Sequence, residues 1–268
     1  MSRLRAAIPV GLARAAAGAG VAFVLIPLVA LAVRAPWSAA PDVVREPAVR
    51  TALRLSLVCS LSATGLAVAL GTPLAWLLAR VEFPGRNVVR TVTTLSMVLP
   101  PVVSGVALLL AFGRRGLVGQ WLYRWFGIQL PFTTWGVIIA ETFVAMPFLV
   151  LTLEGALRST DRQLEDAAST LGASRWYTLR RITLPAVAPS LAAGAVLAWA
   201  RALGEFGATI TFAGNFPGTT QTMPLGIYLA LERDLDAAVL LSLVLVTVSF
   251  AILLGLRGRW LGALSTRP

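Results

Sequence analysis

Residues 160–185 read TDRQLEDAASTLGASRWYTLRRITLP and close the longest polar stretch of the chain, which begins at Glu154. Thr160-Asp161-Arg162-Gln163 fits a capping box, in which the threonine caps a helix start and the glutamine reaches back to the cap amide. Leu164, Ala167, Ala168 and Leu171 follow at i, i+3, i+4 and i+7 and draw one narrow apolar stripe. Gly172 ends that helix as a C-terminal glycine. Ser174 is placed to cap a second short helix, Arg175 to about Thr183, before Pro185 opens the next apolar run. The product is a helix–turn–helix with small alanines on one face, a shape that a groove on another protein can accept. The plainer alternative is a loop helix packed on neighbouring parts of its own chain.

On both sides of this stretch lie apolar blocks of the length that crosses the ~30 Å hydrocarbon layer of a bilayer. They run over about Ala15–Val33, Leu55–Ala79, Thr91–Phe112, Phe132–Leu153, Ala186–Ala213 and Ala237–Leu256. The whole chain is 57% hydrophobic and 13% charged over 268 residues, against ~45–50% and ~25% for a soluble domain. A soluble core this apolar would leave no polar surface to keep it dissolved. The expectation is an all-α integral membrane protein of about six transmembrane helices. Arg3, Arg5 and Arg14 before the first block resemble a signal peptide, but the run is longer than a signal core and further spans follow, so it reads as a retained helix.

The charges exclude several kinds of chemistry. All 23 basic residues are arginine, histidine is absent, and Cys59 is the single cysteine. Without lysine there is no Walker A loop, so the chain does not hydrolyse ATP by itself. Without histidine, neither a His/Cys metal site nor a Ser–His or Cys–His dyad can be assembled. Cys59 sits in an apolar run and reads as packing. The net charge of +11 comes from arginines that flank the spans, which is a topology signal rather than a nucleic-acid footprint. With the N-terminus inside, 14 arginines fall on the cytoplasmic side and 8 on the other, counting Arg80, Arg86, Arg90, Arg158, Arg175, Arg180 and Arg181 among the first group. Both termini are therefore expected in the cytoplasm.

Pro73, Pro100-Pro101 and Pro147 interrupt spans. Single prolines read as static kinks, whereas the Pro100-Pro101 pair with Ser104 and Gly105 also fits a bend lining a pathway. Arg201 and Glu205 lie four apart in the fifth span and can pair within the bilayer, either as a functional pair or as a structural one. Thr209, Thr211 and Thr133-Thr134 offer hydroxyl donors, and weak donors suit conduction of an anion better than a fixed arginine cage. Glu141 would repel an anion if it faced a pathway. Between Gly113 and Pro131, Trp121, Tyr123, Trp125 and Phe126 read as an interfacial aromatic belt, and less readily as a docking surface.

Asp166-Ala167-Ala168, three residues, Gly172, nine residues and then Ile182-Thr183-Leu184-Pro185 resembles the EAA loop of bacterial ABC-importer permeases. One departure stands out: Asp166 occupies the position where that family most often has glutamate, with Glu165 just before it. The resemblance implies a type-1 importer permease fold over residues 49–256, with coupling loop 160–185, an N-terminal arm and first helix over 1–48, and a cytoplasmic tail over 257–268. It implies that Glu165, Asp166, Ala167, Ala168, Gly172, Ile182, Leu184 and Pro185 engage a separate ATPase. Pro100, Pro101, Ser104, Arg201, Glu205, Thr209 and Thr211 are then the candidates for pathway or gate. Residues 200–212, ARALGEFGATITF, resemble the fifth span of molybdate and sulfate permeases, and 214–225, GNFPGTTQTMPL, with Ile227-Tyr228, resemble the molybdate branch.

That resemblance implies a homodimeric permease in the bacterial plasma membrane, an ATP-binding subunit on its cytoplasmic face, and an external molybdate-binding protein. It implies no cofactor, no metal and no nucleic acid, ATP being bound by the partner. A sulfate or thiosulfate permease is the near alternative. A secondary transporter with Arg201, Glu205 and Glu141 as its relay is the alternative of another class, though it would show paired inverted repeats, and none is evident here.

Overall fold

The computed structural model describes residues 10–160 and 163–265, with side chains as far as Gly255. Asp161 and Arg162 of the expected capping box lie outside these residues, as do Arg3, Arg5 and Arg267 of the charge reading. Among the described residues there are helices and no strand. The first half holds α1 (Val10–Val33), α2 (Ala40–Arg45), α3 (Pro47–Arg80), α4 (Arg86–Val98), α5 (Pro101–Phe112) and α6 (Gly119–Phe126). The second holds α7 (Thr134–Ser159), α8 (Gln163–Thr170), α9 (Arg175–Thr178), a π-helical turn (Leu179–Thr183), α10 (Leu184–Leu203), α11 (Gly207–Phe212), α12 (Met223–Leu231) and α13 (Leu235–Ser265).

Among the described residues, five helices are long and apolar enough to cross a membrane, and a sixth span exists if α4 and α5 are counted together. They do not form one rod, as the sequence block Thr91–Phe112 suggests, but meet at a bend of 119°. The cause is local. A residue before proline is pushed out of the helical region, and Leu99 and Pro100 both precede one. Leu99 has φ −62°, ψ 135° and Pro100 has φ −53°, ψ 135°, so two successive residues are extended and the helix must stop and restart. Pro101 then takes the first position of α5, where its missing N–H costs nothing. Pro73 and Pro147, by contrast, sit inside α3 and α7, which continue through them.

The expected fifth span is also interrupted. α10 ends at Leu203, Gly204 to Phe206 are irregular, and α11 resumes at Gly207. At the other end of the chain, α13 continues past Leu256 to Ser265, so the tail expected from residue 257 begins as helix.

The bundle is organised around α7. Small residues of α3 (Cys59, Ala63, Ala67) and α10 (Ala198, Ala202) pack against Val137, Ala145 and Leu149 of α7, all buried. Small side chains let helices approach closely where lipid provides no hydrophobic drive. α1 stands apart: none of it is buried, and its principal contact is with α13.

α5 and α11 cross at the tightest contact between the two broken spans. A Cβ on Gly105 would lie 2.5 Å from Thr211 Cβ and 2.9 Å from Ala208 O, and one on Gly207 would lie 2.6 Å from Pro101 Cβ. Gly105→Val is therefore expected to destabilise the protein by about 1–3 kcal/mol through overpacking. The check is the thermal melting of detergent-purified protein, with Gly65→Ala as control, since a Cβ there meets nothing within 4 Å.

Candidate functional site

The loop between α7 and α10 forms the helix–turn–helix that its sequence encodes. At the end of α8, Gly172 adopts φ +83°. The Ala173 N–H donates to Ala168 O at 2.9 Å and the Gly172 N–H to Ser169 O at 3.0 Å, the paired 6→1 and 5→2 bonds of a Schellman motif. Ser174 caps α9 by accepting from the Tyr177 N–H at 3.2 Å. The plainer reading, a stripe packed on the chain itself, does not hold: Leu164 is 60% and Leu171 88% exposed. Ala167 and Asp166 are exposed beside them, with Ala168 half-buried, and Trp176 and Tyr177 of α9 are exposed too. This is an exposed apolar surface carrying one carboxylate.

The inner side of the loop is tied to the bundle. Glu165, next to Asp166, turns inward: its Oε1 accepts from Arg80 Nη2 at 2.9 Å and from Thr183 Oγ1 at 2.9 Å. Ile182 and Leu184 are half-buried on either side of buried Thr183, and Pro185 is exposed. Arg90 of α4 pairs with Glu154 of α7 at 2.7 Å, and Arg158 joins the same carboxylate at 3.0 Å. These contacts gather the C-terminal ends of α3 and α7, the start of α4 and the α8–α10 segment on one face of the bundle. A cleft of about 570 Å³ opens there, lined in part by Trp76, Glu165, Asp166, Arg175 and Trp176.

The opposite face is assembled from the ends of α5 and α11, α6 and the loop before α12. Thr134 Oγ1 donates to Thr219 O at 2.9 Å, Phe132 meets Phe216 edge-on at 6.0 Å, and Ser56 Oγ accepts from the Met223 N–H at 2.7 Å. The 214–225 segment is thus held by hydrogen bonds to α3 and α7 and by a ring contact to the residues just before α7. On α6, Trp121 and Trp125 sit 5.3 Å apart, and the Arg114 guanidinium lies 4.2 Å over the Tyr123 ring.

Between the faces lies the broken span. Arg201 Nη2 is 2.6 Å from Glu205 Oε2, while Glu205 Oε1 accepts from the Ala208 N–H at 2.7 Å. Glu205 is 1% exposed. Its carboxylate thus neutralises Arg201 and satisfies a free amide at the start of α11, which favours the structural reading of the pair. Thr211 spends its hydroxyl proton on Gly207 O, and Thr133 and Thr134 spend theirs on Leu130 O and Thr219 O. Ser104 and Thr209 differ. Both are fully buried, and their hydroxyls have no hydrogen-bond partner. Glu141 is equally buried, inside the bundle on α7, with Oε2 unpartnered. Sequence reading missed Arg80, Arg90, Glu154 and Ser56. The arginines carried only a topology signal, because their partners lie far away in sequence.

Residues 71–265 match a family profile described as "Binding-protein-dependent transport system inner membrane component". The chain belongs to that family. Its relatives include the "Molybdenum transport system permease protein ModB" of Mycobacterium tuberculosis, 48% identical over 243 residues, which is 90% of this chain and 91% of the relative. The protein of the same name in Escherichia coli is 42% identical over 214 residues, covering 78% of this chain and 93% of that one. A "Sulfate transport system permease protein CysT" of Escherichia coli is 34% identical over 233 residues, covering 85% of this chain and 84% of that one. Among solved structures, a bacterial ABC transporter involved in import of the acidic polysaccharide alginate superposes with a TM-score of 0.71 at 20% identity, covering 93% of this chain and 94% of that chain. The MetNI methionine ABC transporter does so with 0.61 at 18%, covering 81% and 95%. At such identities the structures speak to the fold, which is that of ABC-importer permeases. This inner-membrane component therefore carries the family's fold with two of its spans broken.

Arg201 and Glu205 are unequal in this geometry. Arg201→Met strands a charged, fully buried carboxylate and is expected to cost about 3–5 kcal/mol. Glu205→Gln should cost less, because glutamine still offers an oxygen to the Ala208 N–H and the part-exposed Arg201 side chain can reach a more polar surrounding. Comparing the melting temperatures of the two variants tests the assignment; equal losses would argue against it.

Proposed function

We propose that this chain is the membrane-spanning permease subunit of an ATP-driven importer that carries molybdate, and with it tungstate, into the cytoplasm by alternating access. The observation that carries the reading is 48% identity over 90% of the chain to a molybdenum transport permease, against 34% to a sulfate permease. The exposed surface of Leu164, Asp166, Ala167 and Leu171 supports α8 as the docking element for a separate cytoplasmic ATPase, with Gly172 setting the turn beneath it. Two copies of the permease, two ATPase subunits and an external oxyanion-binding protein complete the proposed assembly, with both termini in the cytoplasm. ATP is bound by the partner, and this subunit has no catalytic role and needs no cofactor of its own.

Chemistry at the crossing is compatible with an oxyanion. Ser104 and Thr209 offer neutral hydroxyls at the α5–α11 crossing, whereas Arg201 is already neutralised by Glu205. Weak donors hold a dianion loosely enough for release.

In proteoliposomes containing the permease, its ATPase and the binding protein, molybdate should stimulate ATP hydrolysis and uptake far more than sulfate does. Equal responses would move the chain to the sulfate branch. Uptake driven by a proton gradient with no ATPase present would overturn the importer reading altogether.

A further inference from the structure

The loop is joined covalently only to α7 and α10, yet its inner carboxylate is held by a helix to which it has no direct connection. Arg80 ends α3, its side chain is 7% exposed, and it meets Glu165 at 2.9 Å. Thr183, 4% exposed, donates to the same oxygen. Thr183 stands in the π turn Leu179–Thr183, whose wider coil adds one residue per turn and re-aims the side chains that follow. Placing arginine, glutamate and threonine on one oxygen from three separate elements is costly in conformational freedom, and a loop that needed only to reach its partner would not require it.

The same end of α3 is gripped from the other side. Arg86 of α4 donates to the Leu78 and Ala79 carbonyls in the last turn of α3, and Arg90 reaches from Leu78 O to Glu154 of α7. Charge-assisted bonds therefore tie the loop to the end of α3 through Arg80, and a second set ties the backbone of that same end to α4, the half of the broken span that precedes the 119° bend.

We propose that Arg80 is a positioning residue for the loop: the Arg80–Glu165–Thr183 clasp sets the angle at which α8 meets its cytoplasmic partner and passes displacement of the loop to α3 and α4. This rests on the reading of α8 as the ATPase-docking element. The outer stripe receives the partner and the inner carboxylate anchors the stripe, so docking and transmission are assigned to opposite sides of one short helix. Loss of the clasp leaves the docking surface in place and frees its angle.

The test uses the complete transporter in proteoliposomes with molybdate as probe. Arg80→Gln is expected to assemble with the ATPase as wild type does and to keep basal ATP hydrolysis. Stimulation by the molybdate-loaded binding protein should fall about five- to tenfold, with uptake per ATP falling alongside. Thr183→Val should give a smaller loss in the same direction. Wild-type stimulation and uptake per ATP in Arg80→Gln would overturn the proposal. Should that variant fail to accumulate, the charge-swapped pair Arg80→Glu with Glu165→Arg decides. Recovery of coupled uptake over either single variant supports the clasp, and no recovery refutes it. If the wild-type complex responds to sulfate instead, the same comparison is made with sulfate; if the wild-type permease binds no ATPase, it is the parent reading that has failed.

Discussion

Hydrocarbon offers no hydrogen-bond partner to a broken helix, so a chain that interrupts its membrane spans must satisfy the freed amides and carbonyls from within. Two interruptions occur here, at Leu99–Pro100 and at Gly204–Phe206, and the architecture answers both in one place. Glu205 turns back to hold an amide of α11, the Ser104 N–H returns to Pro100 O, and glycines at 105 and 207 bring the restarted helices together. α7 forms the unbroken post against which both are set, with Leu108, Ala140, Val144, Ala208 and Phe212 closing the seam. Helices without such interruptions need only small residues at their contacts, and α3, α7 and α10 supply them.

Charge is distributed with the same economy. Within the bundle, Arg201 and Glu205 cancel each other, and other arginines gather toward the helix ends. On the face that carries the loop they serve a second purpose beyond marking topology: Arg80, Arg86, Arg90 and Arg158 each have a carboxylate or a terminal carbonyl to hold. Backbone carbonyls at a helix C-terminus carry partial negative charge and are natural partners for guanidinium groups. Fold and function meet on this face, because the groups that stop α3 also hold the loop.

Much of this was written into the sequence at short range. Six apolar blocks announced the membrane, Gly172 and Ser174 announced the turn between two short helices, and the loop pattern announced the family. Prolines 100 and 101 marked an interruption, but its 119° angle depends on what α5 packs against, which no local pattern encodes. Gly204 allowed either a tight helix contact or a bend, since glycine is common in membrane helices, and only Glu205 holding the Ala208 N–H makes the break visible. Among the candidate hydroxyls, Thr211 and Ser104 look alike in sequence. The first is absorbed by its own helix and the second is not, a distinction set by where each side chain points. Glu165 and Asp166 are likewise adjacent and chemically similar, yet one faces Arg80 and the other solvent, because a helix turns about 100° per residue.

The isolation of α1 bears on how the protein is made. Every other long helix has a face that waits for a neighbour, whereas α1 is apolar on all sides beyond Arg14 and has no fully buried residue in its own chain, Leu31 and Ala32 being half-buried. It precedes α2–α13 in synthesis and is complete on entering the bilayer, since a single apolar helix is stable in lipid before any packing takes place. The residues that follow can then be threaded against a fixed point. A helix of this kind owes its place to lipid rather than to the bundle, so it can be in position before α2–α13 have packed.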